Sequence, residues 1–327
     1  MRRREFITVV GGAAAMWSLG ARAQTSSLPV IGFLNSASPG PAATLVAAFR
    51  QALERAGFIE GRNIAIEYRW ADGEYDRLPA LAADLVRDGV TVIAATGGLV
   101  AAQAAEAATK TIPVLFIAGL DPIREGLASN LNHPGGNATG VSVYTAELGR
   151  KRLDLLRKLL PDVTKIAMLV NPGSISTVIE EKDLEDAASI MGLQLAFVGA
   201  GADSEFEKAF SDAVNQKAAA LIVSADPFFT SRRGQIITLA AHHALPASYP
   251  WSQYTQDGGL MSYGPSLAWA YGQIGAYAAD ILRGSKPGDL PIQLPTQFQM
   301  SINLMVAKSL GLIVSPELLA IADEVIE

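Results

Sequence analysis

The stretch Val30-Ile31-Gly32-Phe33-Leu34-Asn35-Ser36-Ala37-Ser38-Pro39-Gly40-Pro41, running on to Gly57, contains one complete structural unit. Val30 to Leu34 is a short apolar run of the kind that forms a strand buried on both faces, and Asn35 to Gly40 is a small polar loop. From Pro41 a helix is expected, because Leu45, Phe49, Leu53 and Ala56 recur along one face and Gly57 ends the pattern. The same unit returns three times. Strands are expected at Ile64–Tyr68, Thr91–Ala95 and Pro113–Ile117, with helices at Tyr75–Arg87 and Leu99–Thr109 between them.

A second set of four apolar strands follows at Ile166–Val170, Leu193–Val198, Ala219–Val223 and Pro246–Tyr249, each displaced from its counterpart by a domain-sized interval of roughly 130 residues. The expected fold is therefore α/β, two doubly wound parallel-sheet lobes joined by three crossover strands. Gly140–Tyr144 and Leu260–Gly264 read as two extended crossovers, the second leading into a helix at Leu267–Leu282 that packs back on the first lobe. A Pro-rich stretch (Pro287, Pro291, Pro295) before the alternating strand Phe298–Ile302 supplies the third. The expected division is 28–142 plus 265–290 for the N-terminal lobe and 143–264 plus 291–327 for the C-terminal lobe. Three linking strands suit hinge closure.

Residues 1–23 read as a signal peptide: Arg2-Arg3-Arg4, an uncharged run from Phe6 to Gly20, and Ala21-Arg22-Ala23 before a cut after Ala23. The run is too short to span a bilayer. Arg3-Arg4-Glu5-Phe6-Ile7 is twin-arginine-like, with an ordinary secretory leader as the alternative; both routes lead to the periplasm. The 327-residue chain has a formal charge of −6, and removing a leader with four arginines and one glutamate leaves about −9. That acidity, with no basic cluster, argues against nucleic acid as a partner. The chain has no cysteine, which excludes disulfides, thiolate chemistry and a lipid-anchored Cys after the leader. The expected product is a freely diffusing monomer, not embedded in the membrane.

In open parallel sheets, ligands bind outside the carboxyl ends of the strands. In the first half those ends carry Asn35, Ser36 and Ser38, then Thr96 and Gly97, then Gly119 and Asp121. Ser36, Ser38, Thr96 and Gly97 are neutral donors suited to a carboxylate, although such residues also serve as caps and turns. The second half offers Asn171, then Asp226 with Phe228, then Tyr249 and Trp251, while Tyr144 and Tyr263 lie at the crossovers. Asp226 ends a buried strand, so it either caps the next helix or meets a cation. Aromatic residues beside it can wall an apolar ligand. Together these groups describe a small amphiphile, an amino acid or a related compound, better than a sugar.

Signals for catalysis are poor. There is no Walker loop, no G-x-G-x-x-G opening a helix after the first strand and no G-x-S-x-G, and no cofactor or metal is called for. His242-His243 are neighbours on an expected helix and should point apart rather than share a metal as an i, i+4 pair would.

Three runs carry a family resemblance: Asp121-Pro122-Ile123-Arg124-Glu125-Gly126-Leu127 through His133-Pro134-Gly135-Gly136-Asn137-Ala138-Thr139-Gly140-Val141-Ser142; Ser224-Ala225-Asp226-Pro227-Phe228-Phe229 with Arg232-Arg233; and Gly258-Gly259-Leu260-Met261-Ser262-Tyr263-Gly264. In order, they resemble the ABC transporter substrate-binding proteins of the tryptophan/tyrosine-binding-like group. The resemblance implies the type I periplasmic binding protein fold, a ligand in the inter-lobe cleft, and delivery to an inner-membrane ABC permease with its ATPase. It does not imply which ligand. The alternative is an exported α/β enzyme working on a small molecule in the same cleft, with Asp121 and Asp226 as an acid/base pair; a third reading is a receptor that feeds a sensor kinase.

Overall fold

The computed structural model describes residues 28–327, so the leader read at residues 1–23 lies outside the described residues. The first half lays down β1 (Val30–Asn35), α1 (Ala43–Arg55), β2 (Ala65–Trp70), α2 (Leu78–Arg87), β3 (Val92–Ala95), α3 (Gly98–Ala108), β4 (Val114–Ala118) and β5 (Ala138–Ser142). Its strands form one parallel sheet in the order β2-β1-β3-β4-β5. The second half lays down α4 (Thr145–Leu159), β6 (Lys165–Val170), α5 (Thr177–Ile190), β7 (Gln194–Gly199), α6 (Phe206–Asn215), β8 (Leu221–Val223), α7 (Pro227–Ser231), α8 (Arg233–His242), β9 (Ala247–Tyr249), α9 (Ser252–Gln256) and β10 (Met261–Gly264). Here the order β7-β6-β8-β9-β10 repeats that of the first sheet. After α10 (Leu267–Leu282) comes β11 (Gln299–Asn303), which lies antiparallel to β10. Then α11 (Leu304–Ser309) and α12 (Pro316–Ala320) precede an edge strand β12 (Glu324–Ile326).

The segments expected to be plain crossovers are mostly sheet members. Gly140 to Ser142 belong to β5 and pair with β4, and Met261 to Gly264 pair with β11, the first two of them with β9 as well. Buried amides need partners, and ladder pairing supplies them without side chains. The chain crosses between lobes at 143–144, 265–266 and 294–298. Ile292 and Gln293, which the sequence division assigns to the second lobe, stay with the first: Gln293 N donates to the Gly140 carbonyl at 2.8 Å and Ser142 N to the Gln293 carbonyl at 3.0 Å.

The core strands β1, β3 and β4 are buried almost throughout, as expected for strands covered by helices on both faces. Helix α10 packs on α1 and on the first sheet although it follows β10 of the second, so it ties the lobes together in sequence. Buried apolar residues of both lobes belong to one contiguous cluster that includes Phe33, Phe49, Tyr271, Leu267, Trp251 and Phe228. No helix among the described residues is long and apolar enough to cross a membrane.

The α1–α10 contact depends on a missing side chain. A Cβ on Gly275 would collide with the Phe49 carbonyl oxygen and stand 2.8 Å from the Ala52 Cβ, whereas one on Gly272 of the same helix would meet open space. Gly275→Ala is expected to cost about 1–3 kcal/mol by overpacking. Gly272→Ala should be neutral or stabilise by up to about 1 kcal/mol through helix propensity. Equal denaturation midpoints for the two variants would contradict this packing.

Candidate functional site

The carboxyl ends of both sheets face each other across a cavity of about 70 Å³ that opens to solvent. Its wall is largely apolar: Leu45 of α1, Ile117 of β4, Val143 at the first crossing, Leu267 of α10, and Trp251 and Pro227 from the second lobe. The polar groups on its first-lobe side are already partnered. Asn35 Nδ2 donates to Thr96 Oγ1 at 2.9 Å and to the Tyr271 hydroxyl at 3.0 Å, and Asn35 Oδ1 accepts from Ala37 N at 2.8 Å. The Tyr271 hydroxyl in turn donates to the Thr96 carbonyl at 3.2 Å. This network stiffens the loops after β1 and β3 and leaves the cavity surface mostly non-polar.

A smaller polar chamber adjoins the cavity and shares Gly98, Gly119, Thr145, Ala225 and Pro227 with it. Asp226 stands here, 5% exposed, in the loop between β8 and α7. Its Oδ1 accepts from Phe228 N at 3.0 Å, the capping bond of α7, from Asn171 Nδ2 at 3.1 Å, and from the Tyr75 hydroxyl at 2.7 Å. Tyr75 comes from the first lobe, so this last bond spans the cleft. Oδ2 is buried without a hydrogen-bond partner. The two roles expected as alternatives thus fall on different oxygens: one caps the helix, and the other is open to a donor. Burial pushes the Asp226 carboxyl above its usual range, while Tyr75, Asn171, the nearby Ser174 hydroxyl and the Phe228 N–H pull it down.

The opposite wall of the chamber is the start of α3. Gly97 caps this helix without a side-chain bond, and Gly98, Leu99 and Val100 line the chamber. First-turn N–H groups lack intrahelical partners and carry partial positive charge, which favours an anion. The chamber therefore sets an acidic side chain opposite a positive helix end.

Of the residues singled out in the sequence, Asn35, Thr96, Gly119 and Trp251 line the main cavity and Asp226 the polar chamber. The others lie elsewhere. Ser36 is fully buried with its hydroxyl donating to the Gly97 carbonyl at 2.7 Å, and Gly97 packs so closely on Ser36 that a Cβ would strike its backbone; both hold adjacent loops together. Ser38 lines neither space. Asn171 acts through Asp226, which it orients. Phe228 stacks on Phe206 with ring centroids 5.4 Å apart, Tyr249 on Tyr254 at 4.7 Å, and Tyr263 on Phe298 at 6.2 Å, so these three aromatics are packing rather than cleft surface. Asp121 and Tyr144 border a separate depression with Arg124, Glu147 and Asp183, where Asp121 Oδ1 accepts from Ile123 N at 2.9 Å. Asp121 and Asp226 therefore do not share one chamber.

Sequence reading missed Tyr271, Thr145, Ser224 and Glu180, all of which line the cavity or the chamber. Tyr271 sits mid-helix at a position that reads as ordinary core. Glu180 stands in the run Glu180-Glu181-Lys182-Asp183, which reads as a solvated face, yet Glu180 is only 6% exposed. Behind it lies Arg152 of α4, 1% exposed, whose NH1 donates to the Val223 carbonyl at 2.6 Å. Burial raises Glu180 to about 7, with Arg152 pulling down and Asp226 pushing up; burial also lowers Arg152 to about 10. The histidine pair also departs from expectation. Helix α8 ends at His242, and Glu207 of α6 approaches from the side, so the ligand atoms of Glu207, His242 and His243 lie within 4.8 Å of one another.

Comparison with known proteins agrees with this architecture. The chain belongs to the ABC transporter substrate binding protein family, whose model matches residues 37–326. It is a solute-binding receptor of an ABC importer, as the resemblance of its motifs implied, and its fold is that of type I periplasmic binding proteins. It is 29% identical over 264 residues to a tyrosine-binding protein of Clostridioides difficile (strain R20291), covering 81% of this chain and 75% of that protein. A conserved domain protein of Vibrio cholerae superposes with a TM-score of 0.84 at 25% identity, covering 91% of this chain and all of that one. The ABC domain from Streptococcus pneumonia, solved in complex with L-Trp, superposes with a TM-score of 0.82 at 23% identity, covering 92% of this chain and all of that one.

The raised Glu180 carboxyl has a signed consequence for stability. Between the ordinary glutamate range and about 7 the folded protein holds a proton that the unfolded chain has released, so Glu180 makes stability fall as pH rises through that window. The ligand-free protein is expected to lose more thermal stability between pH 5 and pH 7.5 than its Glu180→Gln variant, with the difference isolating this one group. Parallel pH profiles for the two proteins would contradict the assignment.

Proposed function

We propose that this receptor is exported to the periplasm, binds a free amino acid or a closely related small amphiphile between its lobes, and passes it to an inner-membrane permease driven by a separate ATPase. The single observation that carries the cargo reading is the unpartnered Oδ2 of the buried Asp226, placed where the apolar cavity meets the polar chamber. A buried carboxylate oxygen without a donor is costly, and an incoming ammonium supplies both hydrogen bond and charge. An α-amino acid fits the whole arrangement: ammonium on Asp226, carboxylate toward the start of α3, side chain in the cavity walled by Leu45, Ile117, Leu267 and Trp251. A sugar would leave that wall unmatched.

The names of the related proteins support an aromatic amino acid, so L-tyrosine and L-tryptophan are the first compounds to try. The family is one of substrate-binding proteins, which supports capture and release over turnover. In this reading the leader ends at Ala23 and the chain works as a monomer, since one chain supplies both walls of the cleft. The three crossings at 143–144, 265–266 and 294–298 serve as the hinge, and the Tyr75–Asp226 bond closes it.

A thermal-shift screen of the twenty amino acids tests the cargo, since a ligand at a hundred times its Kd adds about 2.7 kcal/mol of stability. With the compound that binds, Asp226→Asn should weaken affinity by about 2–5 kcal/mol, the usual loss on truncating one member of a buried charge pair. The Asn oxygen can still accept from Phe228 N and Tyr75, so the cap survives. Unchanged affinity in this variant would remove Asp226 from the site, and an unchanged radius of gyration on saturation would remove the hinge.

A further inference from the structure

The polar chamber holds three buried side-chain oxygens without hydrogen-bond partners: Asp226 Oδ2, Glu180 Oε2 and Ser224 Oγ. The residues are 5%, 6% and 3% exposed, so solvent does not satisfy them in bulk. They converge from two directions, Glu180 from the first turn of α5, and Ser224 and Asp226 from the chain just after β8. Orphaned buried acceptors are uncommon in native proteins and each is costly, so three around one small space form a preorganised receptor awaiting donors.

The number of acceptors and the charge around them both specify the donor. A primary ammonium presents three N–H groups, a secondary one two, and a quaternary one none. The groups that face Glu180 are Arg152 from α4, Asp226 and the Ala225 backbone N–H from the loop after β8, and Asp183 on its own helix. With Asp226 and Glu180 ionised against the single buried guanidinium of Arg152, which is bonded to the Val223 carbonyl, the chamber is one cation short. We propose that Glu180 and Ser224 are ligand-binding residues that complete, with Asp226, a three-oxygen receptor for a primary ammonium, so that the cargo is a primary amine and not an N-alkylated, quaternary or uncharged compound. This rests on the reading of Asp226 as the cation-binding group and extends it to the class of amine accepted. The proton that Glu180 holds near neutrality in the empty chamber leaves as the ammonium enters, which keeps the charge count balanced.

The test separates this receptor from the identity of the cargo. The first series uses the mature chain with n-butylammonium and N,N,N-trimethylbutylammonium chlorides at equal ionic strength. The primary ion should raise the thermal midpoint and the quaternary ion should not, and Glu180→Gln and Ser224→Ala should each shrink that preference. The second series uses L-tyrosine and N-methyl-L-tyrosine, where loss of one charged hydrogen bond should weaken binding by about tenfold or more. Equal shifts from the two butyl ions, no shift from either, or a preference that survives both variants overturns the proposal. So does L-tyrosine binding that is weakened by Asp226→Asn but untouched by Glu180→Gln and Ser224→Ala, a result that leaves the amino-acid reading standing. A preference for the primary ion lost in both variants, with no binding of L-tyrosine, upholds the receptor and removes the aromatic cargo. Should Glu180→Gln not fold, because it leaves Arg152 unbalanced, Ser224→Ala and the wild-type ion series decide alone.

Discussion

A single buried carboxylate, Asp226, ties the local fold of the second lobe to the cleft between the lobes. A charge at 5% exposure is tolerated only where hydrogen bonds replace water, and Asp226 Oδ1 collects them from the backbone of α7, from Asn171 and from Tyr75. Two of those donors belong to the second lobe and shape it locally. The third lies 151 residues away on the first lobe and reaches Asp226 across the cleft. The same group thus starts a helix, bridges the lobes and still carries a buried oxygen without a hydrogen-bond partner.

Asp226 can occupy that place because the topology is duplicated. Parallel strands put all their carboxyl ends on one edge, and the order β2-β1-β3-β4-β5 is repeated as β7-β6-β8-β9-β10. Turned toward each other, the two edges contribute complementary surfaces: an apolar wall with its polar groups internally paired on one side, and an acidic chamber on the other. Helix α10 returns to the first lobe and contributes Tyr271 and Leu267 to the cleft, so the segment that links the lobes also lines the site.

The strands were legible because strands buried on both faces read as unbroken apolar runs, and the helices because one face repeats. The cleft residues at strand ends, Asn35, Thr96, Gly119 and Asp226, were legible for a related reason: topology alone puts such residues at the functional edge. What sequence could not separate is a polar strand-end residue that faces the cleft from one that holds a neighbouring loop. Ser36 and Thr96 look alike in sequence, yet Ser36 is bound to the Gly97 carbonyl beneath the surface. Glu180 was hidden by its neighbours. A glutamate between Ile179 and Glu181 reads as solvent-facing, and only the packing of α5 against α4 carries it inward beside Arg152.

The most direct measurement is a crystal structure of the mature chain grown with the amino acid that stabilises it best. The ligand should lie in the cavity with its ammonium nitrogen about 2.7–3.2 Å from Asp226 Oδ2 and its side chain against Trp251. A ligand seated in the outer depression beside Asp121 and Tyr144, or one in the cleft that turns its carboxylate toward Asp226 and leaves Oδ2 without a donor, would contradict the assignment of this carboxylate as the receptor's cation-binding group.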